Sequence, residues 1–170
     1  MVAITPPNIT TVEIKGIHCP VFWDEQAYTF FDLPFSYRYS YFRMPDVAEE
    51  AKALYNKVVR NNRYILVAKK MRNSITEIPL DLIACRLQAR LDPIENFQVI
   101  ELNETLSTNI FLYSELIKHA EEIHCIPSSI FCFIDSVIKT TKAKLFYHDL
   151  RQDTVMKVNN RWNYNRWYIV

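Results

Sequence analysis

Gly16 is the only glycine in this chain of 170 residues. Proteins contain about 7% glycine on average, since glycine alone adopts left-handed backbone conformations at no steric cost. The phosphate-cradling loops of P-loop and dinucleotide-binding folds need several glycines at fixed spacing. The chain therefore lacks such glycine-rich loops, which argues against those two classes of nucleotide-binding protein. Its turns must use Asn, Asp and Pro instead, as in Arg60-Asn61-Asn62.

The composition is that of an ordinary globular protein. Hydrophobic residues make up 49% of the chain and charged residues 23%, and the length suffices to bury a core without disulfides or metals. The sequence shows no secretory signal and no uncharged apolar window of about 18 residues. We therefore expect a cytoplasmic protein with four reduced cysteines. We also expect no membrane association and a single domain over residues 1–170.

Hydrophobic periodicity predicts helices and strands in an irregular order. Helices are predicted to begin at Pro45, at Pro79 and near Ser107, the last of them running to His124. Strands are predicted over residues 11–15, 36–43, 63–69, 97–102, 142–147, 154–159 and 162–170. The run 130–138 fits a helix and a buried strand equally well. Because the last three predicted strands are adjacent, we predict an α+β fold with a mostly antiparallel sheet and about three helices.

Ten aromatic residues lie between Phe22 and Phe42. Such a set must become either core or binding face, since aromatic rings dominate burial and interface energetics. In the predicted strand 36–43, Tyr37 and Tyr39 share one face and Arg38 lies between them. The sequence leaves both roles open.

Charge is sorted along the chain, although the net charge is only +1. Residues 51–90, the basic block, hold nine basic and two acidic side chains. Residues 91–135, the acidic block, hold one basic and eight acidic side chains. Either the blocks neutralise each other across packed elements, or the basic block forms a face for an anionic partner. Single-stranded nucleic acid binds clustered cations through its phosphates and aromatic rings through its bases. The candidate nucleic-acid-binding residues are Arg38, Tyr37, Tyr39, Arg60, Arg63, Lys69, Lys70, Arg72, Arg86 and Arg90.

Two His-Cys dipeptides, His18-Cys19 and His124-Cys125, contain potential zinc ligands. Neighbouring side chains on a strand point to opposite faces, whereas structural zinc ligands are usually separated by two to five residues. We therefore predict no metal site and no cofactor. A thiol enzyme needs a cysteine activated by a histidine, and no sequence feature marks one cysteine as activated. The run Glu13-Ile14-Lys15 matches the end of a nuclease motif, but no acidic residue precedes it.

These patterns lead to one preferred function and two alternatives. We predict a non-catalytic nucleic-acid-binding accessory or regulatory protein that uses the basic block and the aromatic and arginine residues of the strands. The first alternative is a protein–protein interaction or self-associating module whose oppositely charged blocks dock on each other. The second is a small nuclease or thiol enzyme, and we favour a non-catalytic role over it.

Overall fold

The computed structural model describes residues 28, 31–34, 36–69, 77–126, 128–148 and 166–170. The chain divides into two compact units, Met1–Tyr41 and Phe42–Val170. In the first unit Tyr37–Ser40 form one helical turn. The strand predicted over residues 36–43 is therefore wrong. The positions of Tyr37 and Tyr41 fit the alternation of a strand, but the two residues are also four apart, the spacing that brings side chains together on a helix. Their rings pack edge to face with centroids 4.6 Å apart.

The second unit contains four α-helices and five strands among its described residues. The helices are α1 (Ala48–Val58), α2 (Leu80–Gln88), α3 (Ser114–His119) and α4 (Ser129–Ser136). The strands are β1 (Tyr64–Ala68), β2 (Gln98–Glu101), β3 (Glu122–Cys125), β4 (Lys144–Tyr147) and β5 (Trp167–Ile169). The helices predicted from Pro45 and Pro79 are confirmed, as are the strands predicted over 63–69, 97–102 and 142–147. The strands predicted over 11–15 and 154–159 lie outside the described residues.

The five strands form one sheet in the order β2-β1-β3-β4-β5, and every neighbouring pair is parallel. The predicted mostly antiparallel α+β fold is therefore wrong, and the arrangement is α/β. No helix in the described part of the chain is long and apolar enough to cross a membrane.

Two local errors explain the wrong fold class. Residues 122–125 had been included in the predicted helix that ends at His124, but they form β3 in the middle of the sheet. The ambiguous run 130–138 is mostly helix α4, whose first turn is capped by the Ser128 hydroxyl, which accepts a hydrogen bond from the Phe131 amide. With β3 and α4 in place, helices connect β2 to β3 and β3 to β4, as parallel strands require.

Helices cover both faces of the sheet. On the first face Leu66, Ile123 and Leu145 belong to a core cluster that includes residues of α3 and α4 and packs against α1. On the second face Ile65 and Val67 pack against α2. All five residues of β1 are buried, because this strand lies inside the sheet and is covered on both sides. The second unit is thus a doubly wound α/β arrangement.

Candidate functional site

The carboxyl ends of β1, β3 and β4 meet at one edge of the sheet, because the strands are parallel. The chain passes from β1 to β2 on one side and then returns to β3 on the other side of β1. Doubly wound sheets bind their ligands outside the carboxyl ends of the strands, where the strand order reverses in this way. The residues that follow these strands are Lys69, Ile126 and His148. This carboxyl edge is the candidate site.

Lys69 directly follows β1. Its Nζ lies 2.9 Å from a carboxylate oxygen of Glu77, and this hydrogen bond raises the pKa of Lys69, so the ammonium group is charged at neutral pH. Lys69 is two residues beyond Val67 and therefore continues on the second face. After β3, Ser128 caps the first turn of α4. The positive end of this helix dipole thus also lies at the carboxyl edge.

Three buried polar side chains form a hydrogen-bonded chain on the second face. An oxygen of Glu122, Oε2, is 3.3 Å from Nε2 of His124, and Nδ1 of His124 is 2.9 Å from Nε2 of His148. These residues are 3%, 0% and 4% exposed, respectively. This chain of hydrogen bonds therefore runs from Glu122, the first residue of β3, to His148, the residue just beyond β4. We call Glu122, His124 and His148 the polar chain.

Burial determines the charge of both histidines. It lowers the pKa of His148 to about 4, helped by the charge that His124 carries when it is protonated and by the positive charge of Arg86. Burial also lowers the pKa of His124, although the hydrogen bond to Glu122 opposes this effect. For Glu122 burial acts to raise the pKa, but the hydrogen bonds to His124 and Arg90 outweigh it and the pKa is lowered. At neutral pH the polar chain thus consists of one carboxylate and two neutral imidazoles.

Two arginines from the region of α2 contact this part of the second face. Arg90 forms an ion pair with Glu122. The Arg86 guanidinium lies 3.6 Å from the centroid of the Phe146 ring, and Phe146 stacks on His124 with centroids 4.7 Å apart. Nε of Arg86 is buried and has no hydrogen-bond partner within the described residues. Both arginines were predicted to bind phosphates, and here both contact buried side chains of the sheet.

Two arginines of the basic block form ion pairs with carboxylates of the acidic block. Arg63 bonds to Asp92 at 2.6 Å and to Glu121 at 2.8 Å, and the pair of Arg90 with Glu122 likewise joins the basic block to the acidic block. These three pairs agree with the interpretation that the two blocks neutralise each other. Whether these cations bind nucleic acid stays a prediction.

The other predicted nucleic-acid-binding residues are scattered. Arg60 is exposed and lines a shallow cleft of about 430 Å³ with Lys57 and Gln98, at the amino edge of the sheet. Tyr37 is 39% exposed and Tyr39 is half-buried, both in the helical turn of the first unit. Lys70, Arg72 and the side chain of Arg38 lie outside what the structure describes.

The position of Cys125 does not favour thiol chemistry. Cys125 is fully buried in the first-face core, opposite its neighbour His124, as predicted for adjacent residues on a strand. Burial raises the pKa of the Cys125 thiol far above its ordinary value, so the thiol stays protonated and weakly reactive. No cluster of three potential metal ligands occurs in the described ranges. His18 and Cys19 lie outside them.

Sequence reasoning missed Glu122 and His148. The signal was available, because Glu122 and His124 are two residues apart and so share a face of a strand, and His148 directly follows the predicted strand 142–147. Comparison with protein-family models, curated proteins and solved structures finds no match for this chain. Its class therefore rests on the fold alone, a doubly wound α/β unit with a polar chain that ends at the carboxyl edge.

Proposed function

We propose that the Phe42–Val170 unit binds a small phosphate-bearing molecule at the carboxyl edge of its sheet. The observation that carries this proposal is the strand order, which reverses at β1 and in doubly wound sheets marks the position of the ligand crevice. An anion at this edge would meet the Lys69 ammonium, whose present partner is Glu77, and the positive amino end of α4.

The absence of a glycine-rich loop limits how such a ligand is held. Backbone amides cannot wrap closely around a phosphate as they do in P-loop proteins. Binding would depend instead on the Lys69 ammonium, which exchanges its partner Glu77 for the phosphate, and on the first-turn amides of α4. This arrangement predicts modest affinity and a strong dependence on the lysine charge.

The variant Lys69→Ala tests this proposal. We expect it to weaken binding of a phosphate compound by roughly 10- to 100-fold, the loss of one hydrogen bond between charged groups. The matched control is Lys144→Ala, which removes an exposed lysine at the first residue of β4, at the opposite edge of the same sheet. Isothermal titration calorimetry with inorganic phosphate, ribose 5-phosphate and ADP provides the measurement. If no compound binds at millimolar concentration, or if both variants bind like the wild type, the proposal is wrong.

Nucleic-acid binding remains as a second candidate, favoured by the two exposed cations of the amino-edge cleft. The side chains of Lys57 and Arg60 pair with no carboxylate in the described ranges. They therefore retain charge that a phosphate backbone can neutralise. In the first unit, Tyr41 is 63% exposed and offers a ring for base stacking.

Fluorescence anisotropy with a labelled single-stranded oligonucleotide at several salt concentrations tests this second candidate. The variant Lys57→Ala/Arg60→Ala is expected to reduce the magnitude of the log–log salt slope by about 1.4, at ~0.7 for each lost phosphate contact. Lys139→Ala/Lys142→Ala, which removes two other exposed cations, should leave the slope unchanged. Equal slopes for all three proteins, or no binding by the wild type at micromolar concentration in low salt, would rule out this interface.

A further inference from the structure

We propose that Arg86 and Tyr168 bind a nucleotide on the second face of the sheet, where β5 is the last strand in the order. The guanidinium group of Arg86 binds the phosphate, and the base stacks on the ring of Tyr168. Lys69 follows β1, three strands away from β5, so the backbones of Lys69 and Tyr168 are separated by roughly 14 Å. The inference therefore goes beyond the proposed function and does not depend on it.

Three stacked rings form a row across the second face. The strand register pairs His124 with Phe146 and Phe146 with Tyr168. The ring centroids are 4.7 Å apart in the first pair and 5.2 Å apart in the second. His124 and Phe146 are fully buried, whereas Tyr168 is 55% exposed. The row therefore ends on an accessible aromatic ring, and another planar ring can stack there.

Arg86 brings an unpaired cation to the same place. Its guanidinium group lies 3.6 Å from the ring centroid of Phe146 and 5.9 Å from that of Tyr168. Nε is buried and has no hydrogen-bond partner within the described residues. Nη1 and Nη2 also form no hydrogen bond or ion pair there, but they are not among the buried unpaired atoms and so reach solvent. The end of this side chain is therefore free to bind a ligand.

The surroundings of this cation favour an anion. Arg90, one turn further along, already pairs with Glu122. Arg86 instead lies near His124 and His148, whose pKa values its charge lowers, and both imidazoles are neutral at pH 7. Partial burial removes water from a charged group, and this cost is offset when the group binds an anion. The two Nη groups form a planar fork that matches two oxygens of a phosphate.

A nucleotide carries both of the required groups in one molecule. Its base is planar, and its phosphate is joined to the base through a single sugar. Because the guanidinium group lies only 5.9 Å from the ring centroid of Tyr168, one such molecule can contact both side chains. Side chains do the binding here, so the glycine-rich loop that the chain lacks is not needed.

Binding of adenosine 5′-monophosphate (AMP), measured by isothermal titration calorimetry, tests the two roles separately. Each variant is made in the Lys69→Ala protein, in which the carboxyl edge is weakened. Adding Arg86→Gln is expected to weaken AMP binding by roughly 10- to 100-fold, the loss of hydrogen bonds between charged groups. The matched control is Arg43→Gln, which removes an exposed arginine near the start of the second unit and should change nothing.

The stacking role is tested at Tyr168, an exposed position where substitution leaves the core intact. Tyr168→Leu is expected to bind AMP roughly tenfold more weakly, because it removes the ring on which the base stacks. Tyr168→Phe keeps the ring and should bind as tightly as its parent. Adenosine lacks the phosphate and ribose 5-phosphate lacks the base, so each should bind this site at least about tenfold more weakly than AMP.

NMR of the ¹⁵N-labelled Lys69→Ala protein locates the nucleotide directly. AMP is expected to cause saturable shifts of the Nε–H signal of Arg86 and of the backbone amide of Tyr168. The inference is wrong if millimolar AMP leaves both signals unchanged, or if Tyr168→Leu binds AMP as tightly as Tyr168→Phe. If the wild type binds AMP and Lys69→Ala abolishes this binding, the nucleotide lies at the carboxyl edge. That result would overturn the Arg86 site and leave the proposed function standing.

Discussion

Acidification from pH 7 to pH 4 is expected to lower the free energy of unfolding by roughly 3 kcal/mol through His148 alone, at about 1.4 kcal/mol for each unit of pKa difference. Burial lowers the pKa of His148 from 6.5 in the unfolded chain to about 4 in the fold. Between these two values the unfolded chain binds a proton that the folded protein does not. Stability is therefore highest above pH 6.5 and is lost progressively as the pH falls towards 4.

His124 acts in the same direction, because burial also lowers its pKa, and the positive charge of Arg86 lowers the pKa of both histidines further. Glu122, whose pKa is lowered from 4.5, begins to lose its stabilising contribution only as the pH falls to about 4.5 and below. Urea denaturation between pH 7 and pH 5 therefore isolates the histidines. The variant His124→Gln/His148→Gln should show a flatter pH dependence over this range, and His119→Gln should behave like the wild type. A pH-independent urea midpoint in the wild type would contradict the buried, neutral state of His124 and His148.

Leu66→Ala is expected to destabilise the second unit by about 2–5 kcal/mol, the usual cost of removing a large buried side chain and leaving a cavity. Leu66 is fully buried in β1, with β2 on one side and β3 on the other. It belongs to the first-face core, which also includes residues of α3 and α4. Neighbouring groups cannot collapse into the gap without moving the centre of the sheet, so the upper part of this range applies.

The matched control is Val99→Ala on the edge strand β2. Val99 is 37% exposed, and its truncation should cost less than about 1 kcal/mol, because exposed positions bury little area. Urea denaturation at pH 7 measures both variants. Equal destabilisation by the two substitutions would contradict a sheet in which β1 is central and β2 is at the edge.

Sequence patterns predicted the helices and strands correctly where hydrophobic periodicity was clear. The run Tyr64–Ala68 is apolar throughout, which indicated a strand buried on both sides, and α1 and α2 begin close to the prolines that predicted them. The sequence failed at β3, where Glu122 and His124 alternate with Ile123 and Cys125. Such polar residues usually indicate exposure, and only the hydrogen bonds of the polar chain allow them to be buried. Without a strand at residues 122–125, the predicted order of elements lacks the crossover connections that join parallel strands.

The site could be predicted only in part. Lys69 was selected for its charge, but its position at the carboxyl edge follows from strand order, which local patterns do not encode. His148 pairs with His124 across two strands, and Arg63 pairs with Asp92 and Glu121 over long stretches of sequence. Contacts of this range depend on the tertiary fold. They explain why Arg63 and Arg90, which the sequence groups with other cations, form ion pairs with the acidic block in the structure.

The central claim is that the ligand site lies at the carboxyl edge of the sheet. Backbone amide chemical shifts of the ¹⁵N-labelled protein, followed by NMR during titration with ribose 5-phosphate, test it most directly. We expect saturable shifts concentrated at Ala68 and Lys69, at Ile126 and Ser128, and at His148. Shifts confined to Lys57, Arg60 and Gln98 would place the ligand in the amino-edge cleft instead. That result, or the absence of saturable shifts, would contradict the account.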